Sequence, residues 1–238
     1  MRRLNAKVLA RVAAVSHKFA TYAGPLASRL NTPIISKWLS QVEYRGVAGL
    51  VVLNIGAYMM LNSRFMKRRG TDGLSRVDRH FISSRYNVSC FRFWSVPLSI
   101  FNHGDSLFQL GMNCFGLSIV GPAVELMFGT RVLLASFLIC GTVGAMGELL
   151  VGNHWCRGSS AGVTGLFALS SLSAPMQILS IWGVFDVKAI SLAISIFFFE
   201  ATVALFGSGR SEMAHCAHAS GMAAAIPVLY YLRWFSRT

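Results

Sequence analysis

The chain has 238 residues, of which 54% are hydrophobic and 13% are charged, and its mean hydropathy is +0.53. This composition is too apolar for an ordinary soluble domain and is typical of a membrane protein. The net charge of +13 would suit a nucleic-acid partner. The basic residues flank apolar stretches instead of forming a binding patch, however, so no nucleic-acid partner is expected.

The N-terminal segment differs in composition from the rest of the chain. Residues 1–42 contain no acidic residue, and their arginines and lysines are interleaved with apolar residues. Such segments are typical of mitochondrial targeting peptides, whereas a secretory signal needs an unbroken apolar core of about 7–15 residues. Residues 1–42 are therefore predicted to be a mitochondrial targeting segment, with a basic N-terminal tail as the alternative, and residues 43–238 a membrane domain.

Six apolar stretches follow, and they predict six transmembrane helices in an all-α polytopic membrane protein. They are residues 46–62, 106–120, 132–151, 160–172 (an unusually short stretch), 189–206 and 214–235. Gly121 and Pro122 predict the end of the second helix because both residues break helices, and residues 125–131 are expected to be a connector. Residues 90–100 are apolar but short, which indicates an interfacial or re-entrant loop.

Small residues recur four positions apart on the fourth and sixth predicted helices. These residues are Ala161 with Gly165 on the fourth helix, and Ser220 with Ala224 and Gly221 with Ala225 on the sixth. Small faces of this kind let two helices approach closely in lipid. Ser160 opens the fourth helix and His218 precedes the small face of the sixth. Contact between the two faces would therefore bring the hydroxyl and the imidazole within hydrogen-bond reach.

Ser160 and His218 are the candidate nucleophile and general base of an acyl-transfer reaction, since a serine hydroxyl is a weak nucleophile until a base removes its proton. Free backbone N–H groups at the start of a helix and the Asn113 amide are candidate donors to an oxyanion. Gly158 permits a tight turn before Ser160. Each residue also has a structural interpretation: a helix cap for Ser160, packing for His218 and interhelical hydrogen bonding for Asn113.

The cysteines and histidines indicate neither a disulfide framework nor a metal centre. The five cysteines contain no CxxC pair, so buried free thiols are expected. The histidines and cysteines of the second half match no established spacing of zinc ligands, and no metal or other cofactor is expected. These residues are His154, Cys156, His215, Cys216 and His218.

Several short motifs follow one another from Leu50 onward. They are LNIGAY at 53–58, RFW at 92–94, FNHG at 101–104, LFQLGMN at 107–113, ELMFGTR at 125–131, GSSA at 158–161 and HCAHASG at 215–221. In their order and spacing these motifs resemble those of the rhomboid intramembrane serine proteases, particularly the mitochondrial branch. They are similar to that family's first core helix, large loop, LFHxxxN motif, ExxxGxx connector, Gly-x-Ser-Gly turn and HAAHLGG motif.

The resemblance implies six transmembrane helices around a water-filled active site below the membrane surface. It implies a Ser160–His218 dyad without an acid, cutting transmembrane substrates near small residues. Asn113 and the Ser160 backbone N–H would form the oxyanion site. Glu200 is the only acid in the late spans, and it precedes His218 by about 18 residues, roughly 27 Å along a helix.

The resemblance also places Gly158 in the family's Gly-x-Ser-Gly turn. It places Glu125, Gly129 and Arg131 in the family's ExxxGxx connector. Three residues depart from the family's pattern. Gln109 replaces a histidine that helps to stabilise the oxyanion, although an amide also donates a hydrogen bond. Ala161 replaces the glycine after the nucleophile and adds a Cβ there, and Ser220 replaces a glycine after His218 at a close helix contact.

Two functions of different classes remain open. The first is an active rhomboid serine endopeptidase of the mitochondrial inner membrane that cleaves transmembrane-protein substrates within the lipid bilayer. The second is a catalytically inactive rhomboid-like protein that binds transmembrane segments, for example as a subunit of an inner-membrane protein translocase with other inner-membrane subunits as partners. A channel or transporter would use Glu148, Glu200 and His218, but the sequence contains no inverted repeat to support it.

Overall fold

A computed structural model of the chain describes residues 44–152, 155–181, 185–207 and 214–235. The predicted targeting segment or tail, residues 1–42, lies outside these ranges, as does His154. The described helices are α1 (Arg45–Leu61), α2 (Arg64–Lys67), α3 (Arg76–His80), α4 (Arg85–Ser89), α5 (Ser95–Ser99), α6 (Leu107–Phe128), α7 (Thr130–Val151), α8 (Ser160–Ser173), α9 (Ala189–Phe206) and α10 (His215–Phe235).

The described strands form two small antiparallel sheets. Strand β1 (Ser83–Ser84) pairs with β2 (Trp155–Cys156), and β3 (Ile178–Ile181) pairs with β4 (Phe185–Lys188). The first sheet ties the loop region between α1 and α6 to the segment that leads into α8. The protein is therefore mostly helical, as predicted, and its short strands lie in the connections.

Three of the described helices, α6, α7 and α9, are long and apolar enough to cross a membrane, and α1 and α8 are shorter apolar helices. The outer surfaces of the long helices carry large apolar side chains. On α9, for example, Phe198, Phe199 and Phe206 are 63%, 62% and 83% exposed. A surface of this kind is stable against hydrocarbon and unstable against water.

Helix α8 occupies the centre of the helical assembly. It packs against α6, α7, α9 and α10, and its Leu166 and Leu169 are fully buried, as is Phe137 of α7. Because neighbouring helices surround it, α8 does not need the length of a lipid-facing span, which accounts for the short apolar stretch predicted at residues 160–172.

The prediction that Gly121 and Pro122 end the second helix is wrong. Helix α6 continues through both residues to Phe128, and Gly121 and Pro122 are buried. A Cβ on Gly121 would lie 2.6 Å from Val47 of α1. The glycine therefore lets α6 and α1 pack closely beside Pro122. Pro122 costs a backbone hydrogen bond, and the packing against α1 offsets that loss.

The predicted connector at residues 125–131 is also mostly helical. The chain breaks only at Gly129, which separates α6 from α7 and has φ +88°. This left-handed conformation is one that glycine adopts without steric cost. Arg131, which the family resemblance placed in the same motif, is an exposed residue of the first turn of α7.

Glu125 joins the end of α6 to the start of α1. Its carboxylate accepts hydrogen bonds from the backbone N–H groups of Gly46 (2.8 Å) and Val47 (3.1 Å) and from the Thr130 hydroxyl (2.6 Å). The first N–H groups of a helix have no partner within the helix, and a negative charge is favourable at that end. Glu125 therefore fixes where α1 begins relative to α6 and α7.

We expect Glu125→Gln to lower the free energy of unfolding by about 1–3 kcal/mol, because the charge-assisted bonds to the start of α1 are weakened. Differential scanning fluorimetry of the purified protein in detergent would show this as a lower Tm. Asp105→Asn is the matched control, because Asp105 is exposed and its ion pair with Lys67 lies at the surface. Equal Tm values for the two variants would contradict the role of Glu125.

Candidate active site

The turn before α8 is anchored to the loop region that precedes α6. Gly158 has φ +109°, a conformation that favours glycine, and its N–H donates to the carbonyl oxygen of Ser99 (3.0 Å). The adjacent Ser159 hydroxyl lies 3.1 Å from Nε2 of His103. Burial lowers the pKa of His103 to about 4, so this contact joins a neutral imidazole to the serine at pH 7.

Ser160 and His218 are hydrogen-bonded to each other, and their Oγ and Nε2 atoms are 2.8 Å apart. The small-residue contact that predicted this proximity is confirmed. A Cβ on Gly221 would lie 2.5 Å from the carbonyl oxygen of Ala161, and one on Gly165 would lie 2.8 Å from that of Gly221. Helices α8 and α10 therefore approach backbone to backbone beside the Ser160–His218 pair. Of the two neighbouring serines, Ser160 faces His218, whereas Ser159 faces His103.

A carboxylate lies behind His218, contrary to the expectation of a dyad without an acid. Oε1 of Glu200 is 3.1 Å from Nδ1 of His218, and Oε2 is 2.6 Å from Nδ1 of His215. The expected separation of roughly 27 Å assumed one continuous helix. The chain instead ends α9 at Phe206 and begins α10 at His215, and the two helices pack side by side.

The sequence carried a signal for this contact. Glu200 is a carboxylate inside an apolar span, and such a group needs a partner to be stable in a membrane. His215 and His218 are three residues apart, so both face the same side of a helix. An acid on one helix and two imidazoles on the next were therefore candidates to pair.

Three glycines of α7 make room for the helices that carry the site. A Cβ on Gly144 would lie 2.5 Å from Cβ of Ala161 and 2.6 Å from the carbonyl oxygen of Ala217. Gly147 faces Ser220 in the same way, whereas a Cβ on Gly141 would lie 3.1 Å from Ile100 and 3.7 Å from Cα of Gly162. The extra atoms of two family departures, Ala161 and Ser220, therefore pack against glycines of α7.

The two candidate oxyanion donors lie on the first turns of α6. The Asn113 side chain is buried, and its amide donates to the carbonyl oxygen of Gln109 (2.8 Å), which leaves a second N–H on the same nitrogen. The Gln109 amide nitrogen lies against the turn, 2.7 Å from where a Cβ on Gly158 would stand. The structure thus brings Gln109 to the turn before Ser160, while the hydrogen bond described for Asn113 lies within its own helix.

One group of side chains has the composition of a metal site. Glu200, His215 and His218 each offer one ligand atom, and these atoms all lie within 4.8 Å of one another. The cysteines weighed as ligands in the sequence, Cys156 and Cys216, do not belong to this group. Cys156 is buried, and burial raises its pKa to about 12, so it is a neutral thiol.

A comparison with protein families matches residues 91–235 to the rhomboid domain. This match covers more than half of the chain. The chain belongs to the rhomboid family. No curated protein matches the chain. The matched part of this rhomboid protein contains Ser160, His218, Glu200 and both candidate oxyanion donors, and its apolar helices make the protein an integral membrane protein.

The contact between Gly147 and Ser220 yields a test of the packing around the rhomboid site. We expect Gly147→Ala to lower the free energy of unfolding by about 1–3 kcal/mol, the usual cost of overpacking, because the new Cβ would meet the Ser220 side chain. Adding Ser220→Gly should restore most of the loss, since the next atom, the Cys216 carbonyl oxygen, is 3.4 Å away.

Thermal unfolding of the single variants and of the double variant measures this coupling. The matched control is Gly56→Ala on α1, because nothing lies within 4 Å of a Cβ at that glycine. A double variant that is no more stable than Gly147→Ala alone would contradict the proposed packing.

Proposed function

We propose that this rhomboid protein is an intramembrane serine endopeptidase, with Ser160 as the nucleophile and His218 as the general base. The observation that carries the proposal is the 2.8 Å hydrogen bond between Ser160 Oγ and His218 Nε2. A carboxylate only accepts hydrogen bonds, so Glu200 keeps the proton of the neutral imidazole on Nδ1. His218 Nε2 is then an acceptor and is suited to take the proton of Ser160.

The chemistry follows the order of acyl transfer. Ser160 Oγ attacks the scissile carbonyl carbon while its proton moves to His218 Nε2, and the imidazolium then gives that proton to the leaving amine. Water then attacks the carbonyl carbon of the acyl-enzyme while His218 takes its proton. The imidazolium returns that proton to Ser160 Oγ as the ester bond breaks. The negative oxygen of the tetrahedral intermediate would be stabilised by the Ser160 backbone N–H, free at the start of α8, and by the amides of Gln109 and Asn113.

Glu200 is a positioning residue in this proposal, since it acts through His218. Its two oxygens bind the two imidazoles of α10, which fixes the ring plane and tautomer of His218. A carboxylate in this place also stabilises the imidazolium that forms during the reaction. The acid thus has the role of the third member of a serine-protease triad.

The helix packing supports the protease over a rhomboid-like protein that binds transmembrane segments without cutting them. Ala161 and Ser220 depart from the family's glycines, but both pack against glycines of α7 and the Ser160–His218 bond forms beside them. Gln109 is the departure that favours the inactive alternative, because an amide replaces an imidazole near the oxyanion. Loss of one oxyanion donor lowers the rate by roughly 10²–10³-fold, which slows a protease without abolishing its activity.

Six helices are proposed to span the membrane, namely α1, α6, α7, α8, α9 and α10, with transmembrane proteins as substrates. The 14 residues of α8 extend about 21 Å, less than the roughly 30 Å of hydrocarbon. Ser160, at the N-terminus of α8, would then lie below the membrane surface. The acid-free, Arg-rich N-terminal segment supports the mitochondrial inner membrane as the location.

Cleavage of a transmembrane substrate by the protein reconstituted in liposomes tests the proposal. We expect Ser160→Ala and His218→Ala each to lower kcat by more than about 10³-fold, as loss of either member does in serine proteases. Ser170→Ala is the matched control on the same helix, because its hydroxyl donates to Phe167 of its own helix. Ser160→Ala cleaving at the wild-type rate would reject the protease and leave the non-catalytic interpretation.

We expect Glu200→Ala to lower kcat by about 10–10³-fold with little change in KM, because the imidazole loses its orientation while substrate binding does not involve the acid. Glu200→Asp should recover part of kcat, since it restores a carboxylate with a shorter reach. Thermal unfolding of both variants separates this effect from loss of structure. A KM that rises while kcat stays constant would contradict the positioning role.

A further inference from the structure

The carboxylate and two imidazoles behind Ser160 form a donor set that the protease reaction does not fully use. His215 begins α10, His218 lies three residues later, and Glu200 faces both from α9. Two imidazoles and one carboxylate are a ligand set that zinc binds in proteins, with a fourth position left for water. The proposed catalysis uses Glu200 to position His218, whereas His215 takes no part in the proton transfer.

We propose that Glu200, His215 and His218 form a binding site for a divalent transition-metal ion such as Zn²⁺, and that the bound ion reversibly inhibits the protease. The binding part stands on the geometry of the three side chains alone. The inhibition part rests on the proposed function, since it needs His218 to be the general base.

The distances are compatible with coordination after a small adjustment. The three ligand atoms lie within 4.8 Å of one another, whereas zinc bonds of about 2.0–2.2 Å set tetrahedral ligand atoms roughly 3.4 Å apart. Side-chain movements of about 1 Å would close this gap. The side chains are 9–11% exposed, so they are shielded from the surface and still partly accessible.

Coordination would change the tautomer of the catalytic imidazole. In the metal-free site, Nδ1–H of His218 donates a hydrogen bond to Glu200, and Nε2 is free to accept one from Ser160. A metal ion bound at Nδ1 takes that lone pair, so the proton of the neutral ring resides on Nε2. The ring would then donate to Ser160 Oγ and would have no lone pair left to remove its proton.

The choice of metal follows from the ligands. Imidazole nitrogens suit Zn²⁺, Cu²⁺ and Ni²⁺, whereas Mg²⁺ prefers oxygen ligands and keeps its water shell. Inhibition by Zn²⁺ but not by Mg²⁺ at the same concentration is therefore expected. A chelator should restore the rate, because coordination breaks no covalent bond of the protein.

The binding arm uses the full-length Ser160→Ala variant, so that its outcome does not depend on cleavage. Competition with a chromophoric chelator would measure Zn²⁺ binding, and we expect one saturable equivalent. His215→Gln in the same background should weaken the affinity by more than about 100-fold, beyond the effect of losing an outer-shell partner. His215→Cys should retain binding, since a thiolate is also a zinc ligand.

The matched control is His80→Gln, because His80 stacks on Trp94 in the loop region and lies outside the metal group. It should bind Zn²⁺ as the parent does. Absence of saturable binding, or equal binding after His215→Gln in a protein with unchanged thermal unfolding, would overturn the site.

The inhibition arm measures cleavage against free Zn²⁺, with each protein's rate expressed relative to its own metal-free rate. His215→Gln should need at least about 100-fold more Zn²⁺ for half-inhibition than the wild type, matching the loss of affinity. Equal inhibition of both proteins would overturn the mechanism, because the ion would then act elsewhere. A wild type that binds Zn²⁺ but cleaves nothing would reject the proposed function and the inhibition while leaving the metal site intact.

Discussion

Helices α7, α8 and α10 meet with almost no side-chain atoms between them, and the rest of the site depends on this contact. A Cβ on Gly144 would lie only 2.5 Å from Ala161 of α8 and 2.6 Å from the Ala217 carbonyl oxygen of α10. Lipid provides no hydrophobic drive for helices to associate, so close packing of small residues has to hold them. The separation of α8 from α10 sets the distance between Ser160 and His218.

Around this contact the chain positions each residue of the candidate site from a different element. The loop region before α6 holds the turn that precedes Ser160 through Ser99 and His103, and α9 supplies Glu200 behind the His218 imidazole. Each support is a hydrogen bond or a backbone contact between residues distant in sequence. The same carboxylate that would orient His218 also pairs with His215, so one acid belongs to both the proposed catalytic site and the proposed metal site.

Features with a local signature could be predicted from the sequence. Residues 189–206 are α9 to the residue, and the four-residue spacing of small residues on α8 and α10 predicted the Ser160–His218 contact. The α7 glycines escaped notice because Gly141, Gly144 and Gly147 are three apart and meet two different helices. Helix α6 continues through Gly121 and Pro122 because its packing on α1 overrides local propensity. Glu200 was missed because its distance from His218 was judged along one continuous helix, although an acid inside an apolar span and two histidines three residues apart indicated the pairing.

The central claim is that His218 activates Ser160, and a serine-reactive fluorophosphonate probe tests it most directly. We expect a covalent adduct on Ser160, located by tandem mass spectrometry of the full-length protein, and almost no labelling after His218→Ala. Labelling of Ser159 in place of Ser160, or labelling of Ser160 at the same rate with and without His218, would contradict it.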